Sequence, residues 1–130
     1  MLENTASQSL PNIVVSDSDY DQLVSIASAA LRRIPEIAES LLTELERAKV
    51  VCAEGLPRGI ARLGSTVTFS SDEGLPQRVT LVLPVDANIV DGKISILTPV
   101  GIALLGLSKG QSIMCRGRSQ QRRLTVQAVE

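Results

Sequence analysis

The sequence predicts an α+β fold in which an N-terminal antiparallel two-helix hairpin, a short coiled coil, precedes a C-terminal antiparallel sheet domain with one short helix. Two periodicities lead to this prediction. Apolar residues recur every three or four positions between residues 17 and 52, as they do in amphipathic helices. From residue 66 onward, apolar and polar residues alternate, as they do in half-buried strands. A chain of 130 residues that is 44% hydrophobic is large enough for one small core with an appendage.

The N-terminal part is predicted to contain a tail, residues 1–12, and then a hairpin that occupies residues 13–53. The tail is polar and ends near Pro11, so we expect it to be loosely held. Ser16-Asp17-Ser18-Asp19 supplies side-chain oxygens for the free amides of a helix N-terminus and negative charge near its positive end. The first helix should therefore start here, and its apolar stripe comprises Leu23, Ile26, Ala27, Ala30, Leu31 and Ile34.

Pro35 marks the turn between the two predicted helices. Proline lacks the amide that a helix interior needs, disfavours helical geometry at the preceding residue, and suits the first turn of a new helix. The hairpin tip is thus predicted at Arg32, Arg33 and Glu36. The second apolar stripe comprises Ala38, Leu41, Leu42, Leu45, Ala48 and Cys52. Two antiparallel helices of about 16 residues would extend only roughly 25 Å.

The sheet domain is predicted for residues 66–130, after a linker of residues 54–65 that is rich in Gly and Pro. A strand at 78–83 carries apolar residues on both faces, which suits a central strand covered on both sides. Thr98-Pro99 should start a short buried helix that continues to Leu107. The other strands are expected at 66–70, 93–97, 113–115 and 124–129, with turns at 71–74 and 91–92 and a loop at 116–123.

The scarcity of certain residue types excludes several classes of site. The chain has no His, no Trp, one Tyr and one Phe. Without His there is no Ser-His-Asp or Cys-His catalytic pair and no HExxH zinc site, and two aromatic rings make no stacking platform for single-stranded nucleic acid. Cys52 and Cys115 have neither metal-binding nor disulfide spacing, and both are expected to be buried. No metal or other cofactor is predicted.

Charge is distributed unevenly along the chain. Residues 1–50 carry eight acidic and four basic side chains, whereas residues 51–130 carry six acidic and nine basic ones. The N-terminus lacks the basic segment and apolar run of a signal peptide, and no apolar stretch approaches the roughly 20 residues that cross a bilayer, so no membrane association and a cytoplasmic location are expected. An acidic partner or phosphate could bind one basic cluster, or the cluster could be an ordinary solvated turn: Arg116, Arg118, Arg122 and Arg123.

A strand, a Ser/Thr-Pro pair and an apolar helix ending in Ala-Leu-Leu-Gly follow one another between Ile94 and Leu107. This order resembles the C-terminal domain of the Gre transcript-cleavage factors. The short hairpin, the run Glu44-Leu45-Glu46-Arg47-Ala48 and the strand Val67-Thr68-Phe69 are most similar to the Rnk family of regulators of nucleoside diphosphate kinase, within the GreA/GreB superfamily. The resemblance implies an FKBP-like fold for residues 66–130. It also implies binding to the rim helices of the largest subunit of RNA polymerase, at the entrance of the secondary channel.

The docking segment of that family corresponds to Ser95, Leu97, Thr98 and Pro99 in this sequence. Some Gre factors have Asp where this chain has Leu97, which points to an apolar contact at that position. The pair Thr98-Pro99 would both start the helix and hold an exposed corner beside it.

The hairpin tip departs from the family in a way that bears on mechanism. Gre factors bring acidic residues at the tip of a long hairpin to the catalytic metal ion of the polymerase, whereas Arg32 and Arg33 would repel a divalent cation. Glu36 and Glu39 could bind a metal as a carboxylate pair, or could form a salt-bridged helix end with the two arginines. The salt-bridged end is the favoured interpretation, so stimulation of transcript cleavage is not predicted.

Together these features predict a noncatalytic transcription regulator that binds RNA polymerase near the secondary channel and competes with Gre-type factors. Its effect on DNA would be indirect. One alternative is direct binding to nucleoside diphosphate kinase. Another is peptidyl-prolyl isomerase activity, suggested only by the FKBP-like fold. The isomerase pocket of that fold is lined by aromatic side chains, and this chain offers Phe69 and little else.

Overall fold

Three helices, a five-stranded sheet and a two-stranded sheet form the fold, which a computed structural model describes for residues 12–71, 74–116 and 121–130. The helices are α1 (Asp17–Ala30), α2 (Pro35–Arg47) and α3 (Pro99–Leu104). The strands are β1 (Val14–Ser16), β2 (Lys49–Val51), β3 (Thr66–Ser71), β4 (Gln77–Val82), β5 (Lys93–Ser95), β6 (Ser112–Arg116) and β7 (Gln121–Val129). This composition confirms the mixed helix and sheet class. Residues 1–11 of the predicted tail, 72 and 73 of the predicted turn, and 117–120 of the predicted loop lie outside the described residues.

Helices α1 and α2 pack against each other as a helical hairpin, joined by a turn at residues 31–34. The Ser16 hydroxyl accepts a hydrogen bond from the Asp19 amide (3.2 Å), so α1 begins where the capping signal indicates. Pro35 occupies the first turn of α2, also as predicted. The helices contain 14 and 13 residues, and at 1.5 Å per residue each extends about 20 Å. The hairpin is therefore slightly shorter than expected.

Helix α2 ends at Arg47, and the prediction that it continues to Cys52 is wrong. The backbone becomes extended at Ala48, and the next three residues form β2, which pairs in parallel with β1. The Lys49 amide donates a hydrogen bond to the Ile13 carbonyl (2.9 Å). Two successive β-branched valines favour a strand once such a partner is available. As a consequence Cys52 is exposed, contrary to expectation, whereas Cys115 is buried.

The larger sheet has the strand order β5-β4-β3-β7-β6. Strand β5 runs parallel to β4, so the sheet is mixed and not wholly antiparallel. The reason is that residues 83–92 do not form a tight hairpin: two short 3-10 turns carry the chain back toward the start of β4. Strand β3 lies at the centre. Strand β4 lies between β5 and β3, inside the sheet as predicted, but Arg78 is exposed and Leu81 is its one buried residue, so the prediction that 78–83 is covered on both faces is wrong.

Close backbone contacts hold α3 and the turn after it. A Cβ atom at Gly101 would lie 2.5 Å from the Ser95 carbonyl oxygen, so only glycine permits this approach. The helix ends at Leu104 instead of the predicted Leu107. Two residues later, Gly106 adopts a positive φ of 81°, and a Cβ there would lie 2.6 Å from the Cβ of Ile13.

Helix α3 contributes to two hydrophobic clusters and thereby joins the hairpin to the sheet. Leu104 packs with Phe69 and Leu124 of the sheet. Ile102 and Leu105 pack with the hairpin, in a cluster that also contains Leu23, Leu41, Leu45 and Ile96.

A second connection is an ion pair between α1 and the segment before the sheet. The Arg62 Nε donates to Asp19 Oδ2 at 3.1 Å, and the Asp19 side chain is only 10% exposed. In the same segment Ile60 and Ala61 are buried, and the Ala61 amide donates to the Leu107 carbonyl (2.8 Å). Residues 60–62 are thus packed against the body of the protein. Within the described ranges, no helix is long and apolar enough to cross a membrane.

Candidate docking site at the corner between β5 and α3

The segment between β5 and α3 forms a corner that its own hydrogen bonds hold in place. Ser95 Oγ accepts from the Leu97 amide (2.9 Å), and the Thr98 hydroxyl donates to the Ser95 carbonyl (2.8 Å). The same hydroxyl accepts from the Gly101 amide (3.1 Å), which caps α3. Pro99, at the first helical position, is exposed. The corner therefore presents Pro99 to solvent on a backbone that has little freedom to rearrange.

A cavity of about 540 Å³ opens beside this corner, between the sheet and the 83–92 connection. Ser95, Thr98 and Pro99 form one side of it, and Phe69 and Val79 of the sheet contribute apolar surface. Phe69 is the only aromatic ring among its described lining residues. Three of the four predicted docking residues thus share one concave surface.

Leu97 is the predicted docking residue that does not line this cavity. It is half-buried and packs against the hydrophobic cluster shared by α3 and the hairpin. The apolar residue at this position therefore makes its contacts within the protein, and its role in docking remains a prediction.

The connection between β4 and β5 carries exposed apolar side chains next to the cavity, and the sequence analysis did not identify them as candidate binding residues. Ile89 is 86% exposed and lines the cavity, and the neighbouring Val85 and Val90 are also exposed. Large apolar side chains so fully exposed in one short segment are typical of interaction surfaces. The sequence does contain an indication of this surface, because the apolar pair Ile89-Val90 fits neither the helical nor the strand periodicity of a buried face.

The cavity is positively charged. Lys93 and Arg122 line it, and no Asp or Glu does so among the described residues. Burial raises the pKa of the Cys115 thiol on its wall, and the nearby Arg122 charge opposes part of that shift. The predicted arginine cluster is divided: Arg122 lines the cavity and is paired across the strands with Cys115, Arg123 is paired with Met114, Arg116 is paired with Gln121, and Arg118 lies outside the described residues.

The hairpin tip carries Arg32 and Arg33, both exposed. Neither forms an ion pair with Glu36 or Glu39 within the part of the chain that the structure describes, so the predicted salt-bridged helix end is absent. The two glutamates instead line a groove between α2 and β6. No group of three or more Cys, Asp or Glu side chains able to hold a metal occurs among the described residues.

Comparisons with known proteins cover nearly the whole chain. Two family models match: Rnk N-terminus over residues 11–51, and transcription elongation factor GreA/GreB, C-terminal, over residues 56–130. The "Regulator of nucleoside diphosphate kinase" of Escherichia coli K12 is 34% identical over 107 residues, which cover 81% of this chain and 78% of that protein. A GreA/GreB structure from Nitrosomonas europaea superposes with a TM-score of 0.73 at 32% identity, covering 91% of this chain and 98% of that one. Transcription elongation factor GreA of Azorhizobium caulinodans is 34% identical over 65% of this chain, which spans 57% of GreA.

Proposed function

Because the chain belongs to the Rnk family of GreA/GreB-related regulators, we propose that it is a noncatalytic transcription regulator that binds RNA polymerase near the secondary channel. Its C-terminal domain, taken as FKBP-like, would contact the rim helices of the largest subunit through Ser95, Thr98 and Pro99. Leu97 would support this corner from inside. The protein would occupy the channel entrance and exclude Gre-type factors from it.

The observation that carries this proposal is the pre-ordered corner beside an apolar cavity. Three hydrogen bonds hold residues 95–101, so little conformational entropy is lost when a partner covers Pro99. The apolar residues of the cavity, together with exposed Ile89, suit a partner helix with an apolar face, and Lys93 and Arg122 suit acidic residues on that helix.

The hairpin supports a role without transcript cleavage. Each helix extends only about 20 Å, and the exposed side chains at the tip are Arg32, Arg33, Pro35 and Glu36, so two guanidinium groups stand beside a single carboxylate. Two guanidinium groups would disfavour the approach of a divalent cation to this end of the hairpin. A hairpin this short would fill part of the channel entrance without bringing the Glu36 carboxylate to the metal.

Capture by core RNA polymerase tests the proposal. Wild type should be retained, and Pro99→Asn should be retained at least about fivefold less, because it removes the exposed ring at the centre of the proposed contact. Pro57→Asn is the matched control, since Pro57 is exposed and lines neither the cavity nor the groove. Equal capture of wild type and Pro99→Asn would exclude the docking site, and capture of neither would exclude the function. A cleavage assay on backtracked complexes should show no stimulation.

A second candidate is direct regulation of nucleoside diphosphate kinase, favoured by the name of the Escherichia coli relative. Sedimentation of the two purified proteins together would reveal a complex. If a complex forms and core polymerase is not captured, the second candidate replaces the first. Peptidyl-prolyl isomerase activity is disfavoured because Phe69 is the single described ring at the cavity and because the relatives are named regulators and elongation factors.

A further inference from the structure

A second concave surface, here called the edge groove, lies on the other side of α3 from the cavity. It measures about 590 Å³ and runs between α2 and strand β6. Glu36 and Glu39 stand on its α2 wall, Ile102 of α3 contributes to its base, and Met114 lies on its β6 wall. Apart from Pro99 and Cys115, which line both surfaces, the residues of the edge groove differ from those of the cavity, so variants at Glu36, Glu39 and Met114 test this proposal independently of the polymerase contact.

Strand β6 is an outer strand of the five-stranded sheet, and its residues Ile113, Met114 and Cys115 line the edge groove. At its start a β-bulge sets the hydrogen-bonding register: the Gly110 amide donates to the Val126 carbonyl, and the Val126 amide donates to the Gln111 carbonyl. Antiparallel pairs alternate between residues that bond to the neighbouring strand and residues that point away from it. Counting on from Gln111, Ile113 and Cys115 bond to β7.

Ser112 and Met114 therefore direct their amide and carbonyl groups away from β7, along the free edge of the sheet, and Met114 lies where that edge borders the groove. Within the described residues, no backbone hydrogen bond from these two residues to a loop or another strand is present on that side. The opposite edge of the sheet is different, because Lys93 of β5 exchanges two backbone hydrogen bonds with Asn88 (2.8 and 2.9 Å). The chain itself thus covers one edge at Lys93, the first residue of β5, whereas no such bond covers Met114 of β6 within the described residues.

The side chains around the edge groove specify the chemistry of an occupant. Glu36 and Glu39 are exposed, and Glu44 is already paired with Arg47 at 2.8 Å. No Lys or Arg lines the groove among the described residues. Met114, an apolar residue on this edge, is 41% exposed. Natural proteins commonly place a charged residue at such a position to discourage pairing with another strand.

We propose that the edge groove binds an extended basic segment of a partner protein as an added strand on β6. Main-chain hydrogen bonds to Ser112 and Met114 would align the segment. Lys or Arg side chains on the face toward the helices would meet Glu36 and Glu39, and apolar side chains on the opposite face would cover Met114. The five residues of β6 measure about 17 Å, which accommodates four or five residues of the segment.

Fluorescence anisotropy with a labelled peptide of alternating Lys and Val, about eight residues long, tests this proposal on the full chain. Binding should be saturable and weaken as salt increases, and a peptide with Glu in place of Lys should not bind. Two N-methylated versions of the Lys peptide, blocked at odd or at even positions, separate strand addition from charge attraction alone. Only the version whose blocked amides face β6 should lose at least tenfold in affinity. Equal affinities for the two versions would overturn the proposal.

Variants of the protein test the two walls separately. Glu36→Gln combined with Glu39→Gln should weaken peptide binding by about threefold to tenfold, the range expected for the loss of two exposed charges. Glu46→Gln is the control and should change binding little, because Glu46 is exposed on the same helix but lies outside the groove. Met114→Pro removes an outward amide and should weaken binding at least about tenfold, whereas Met114→Val keeps it. If Met114→Pro does not fold, the methylated peptides decide the same point.

Two further outcomes would overturn the assignment of a partner segment. A concentration-dependent dimer in sedimentation, abolished by Met114→Pro, would assign the open edge to a second copy of the chain. An increase in peptide affinity of tenfold or more after removal of residues 1–11 would assign the groove to the chain's own N-terminal segment, since the Asn12 carbonyl accepts from Gln111 Nε2 (3.3 Å) next to β6.

Discussion

Gly106 offers a quantitative test of how the hairpin is attached to the sheet. It has a φ of 81°, and a Cβ at this position would lie 2.6 Å from the Cβ of Ile13 and 3.2 Å from the Val14 amide nitrogen. Gly106→Ala therefore adds a left-handed backbone cost of about 1 to 2 kcal/mol to an overpacking cost of about 1 to 3 kcal/mol. We expect the free energy of unfolding to fall by about 2 to 5 kcal/mol.

Gly110→Ala is the matched control for this substitution. Gly110 has a similar φ of 92°, but a Cβ there would meet nothing within 4 Å, so its replacement costs about 1 to 2 kcal/mol. Urea unfolding of both variants, followed by circular dichroism, isolates the contact with Ile13 as the difference between them. Adding Ile13→Ala to Gly106→Ala should not rescue stability, because the atom in conflict is the Cβ that alanine retains. Equal losses for Gly106→Ala and Gly110→Ala would refute the reasoning.

Three other predictions concern the corner and the cavity. Thr98→Val removes the hydroxyl that caps α3 and should lower the free energy of unfolding by about 0.5 to 2 kcal/mol in urea titrations. Burial raises the pKa of the Cys115 thiol, so the folded state holds this proton more tightly than the unfolded state does. The resulting stability is present below a pH of about 8.5 and is lost as the pH rises through the folded pKa. Cys115→Ala should therefore reduce the fall in melting temperature at alkaline pH, and an unchanged fall would contradict this. Ile89→Ser should reduce capture by core RNA polymerase without changing thermal stability, whereas Leu75→Ser, equally exposed but away from the cavity, should affect neither.

Local chemistry predicted several parts of the fold correctly. The Ser16 cap, the proline at the start of α2 and the Thr98-Pro99 start of α3 are all determined within one helical turn, so a reader of the sequence has every interacting group in view. The alternation of apolar and polar residues also predicted strands β3, β6 and β7, although each extends beyond its predicted bounds.

The incorrect predictions concern features that depend on contacts with distant parts of the chain. Val50 and Val51 join a strand because β1 lies beside them, and no local pattern contains that information. The parallel pairing of β5 depends on how residues 83–92 return across the sheet. The ion pair of Asp19 with Arg62 was missed for the same reason, since Asp19 has a sufficient local explanation as part of a helix start.

Pro99 links the two proposed binding surfaces, because its ring lines both the cavity and the edge groove. Helix α3 cannot shift easily to favour one occupant, since Gly101 is already in close contact with the Ser95 backbone. Two partners that each cover part of one rigid ring will compete, and coupling between sites is reciprocal. Saturating Lys-Val peptide should therefore lower capture of the protein by RNA polymerase, and the Glu peptide should not. If the Lys-Val peptide binds and capture is unchanged, the two partners approach Pro99 from sides that do not overlap, and the coupling argument fails while both binding sites stand.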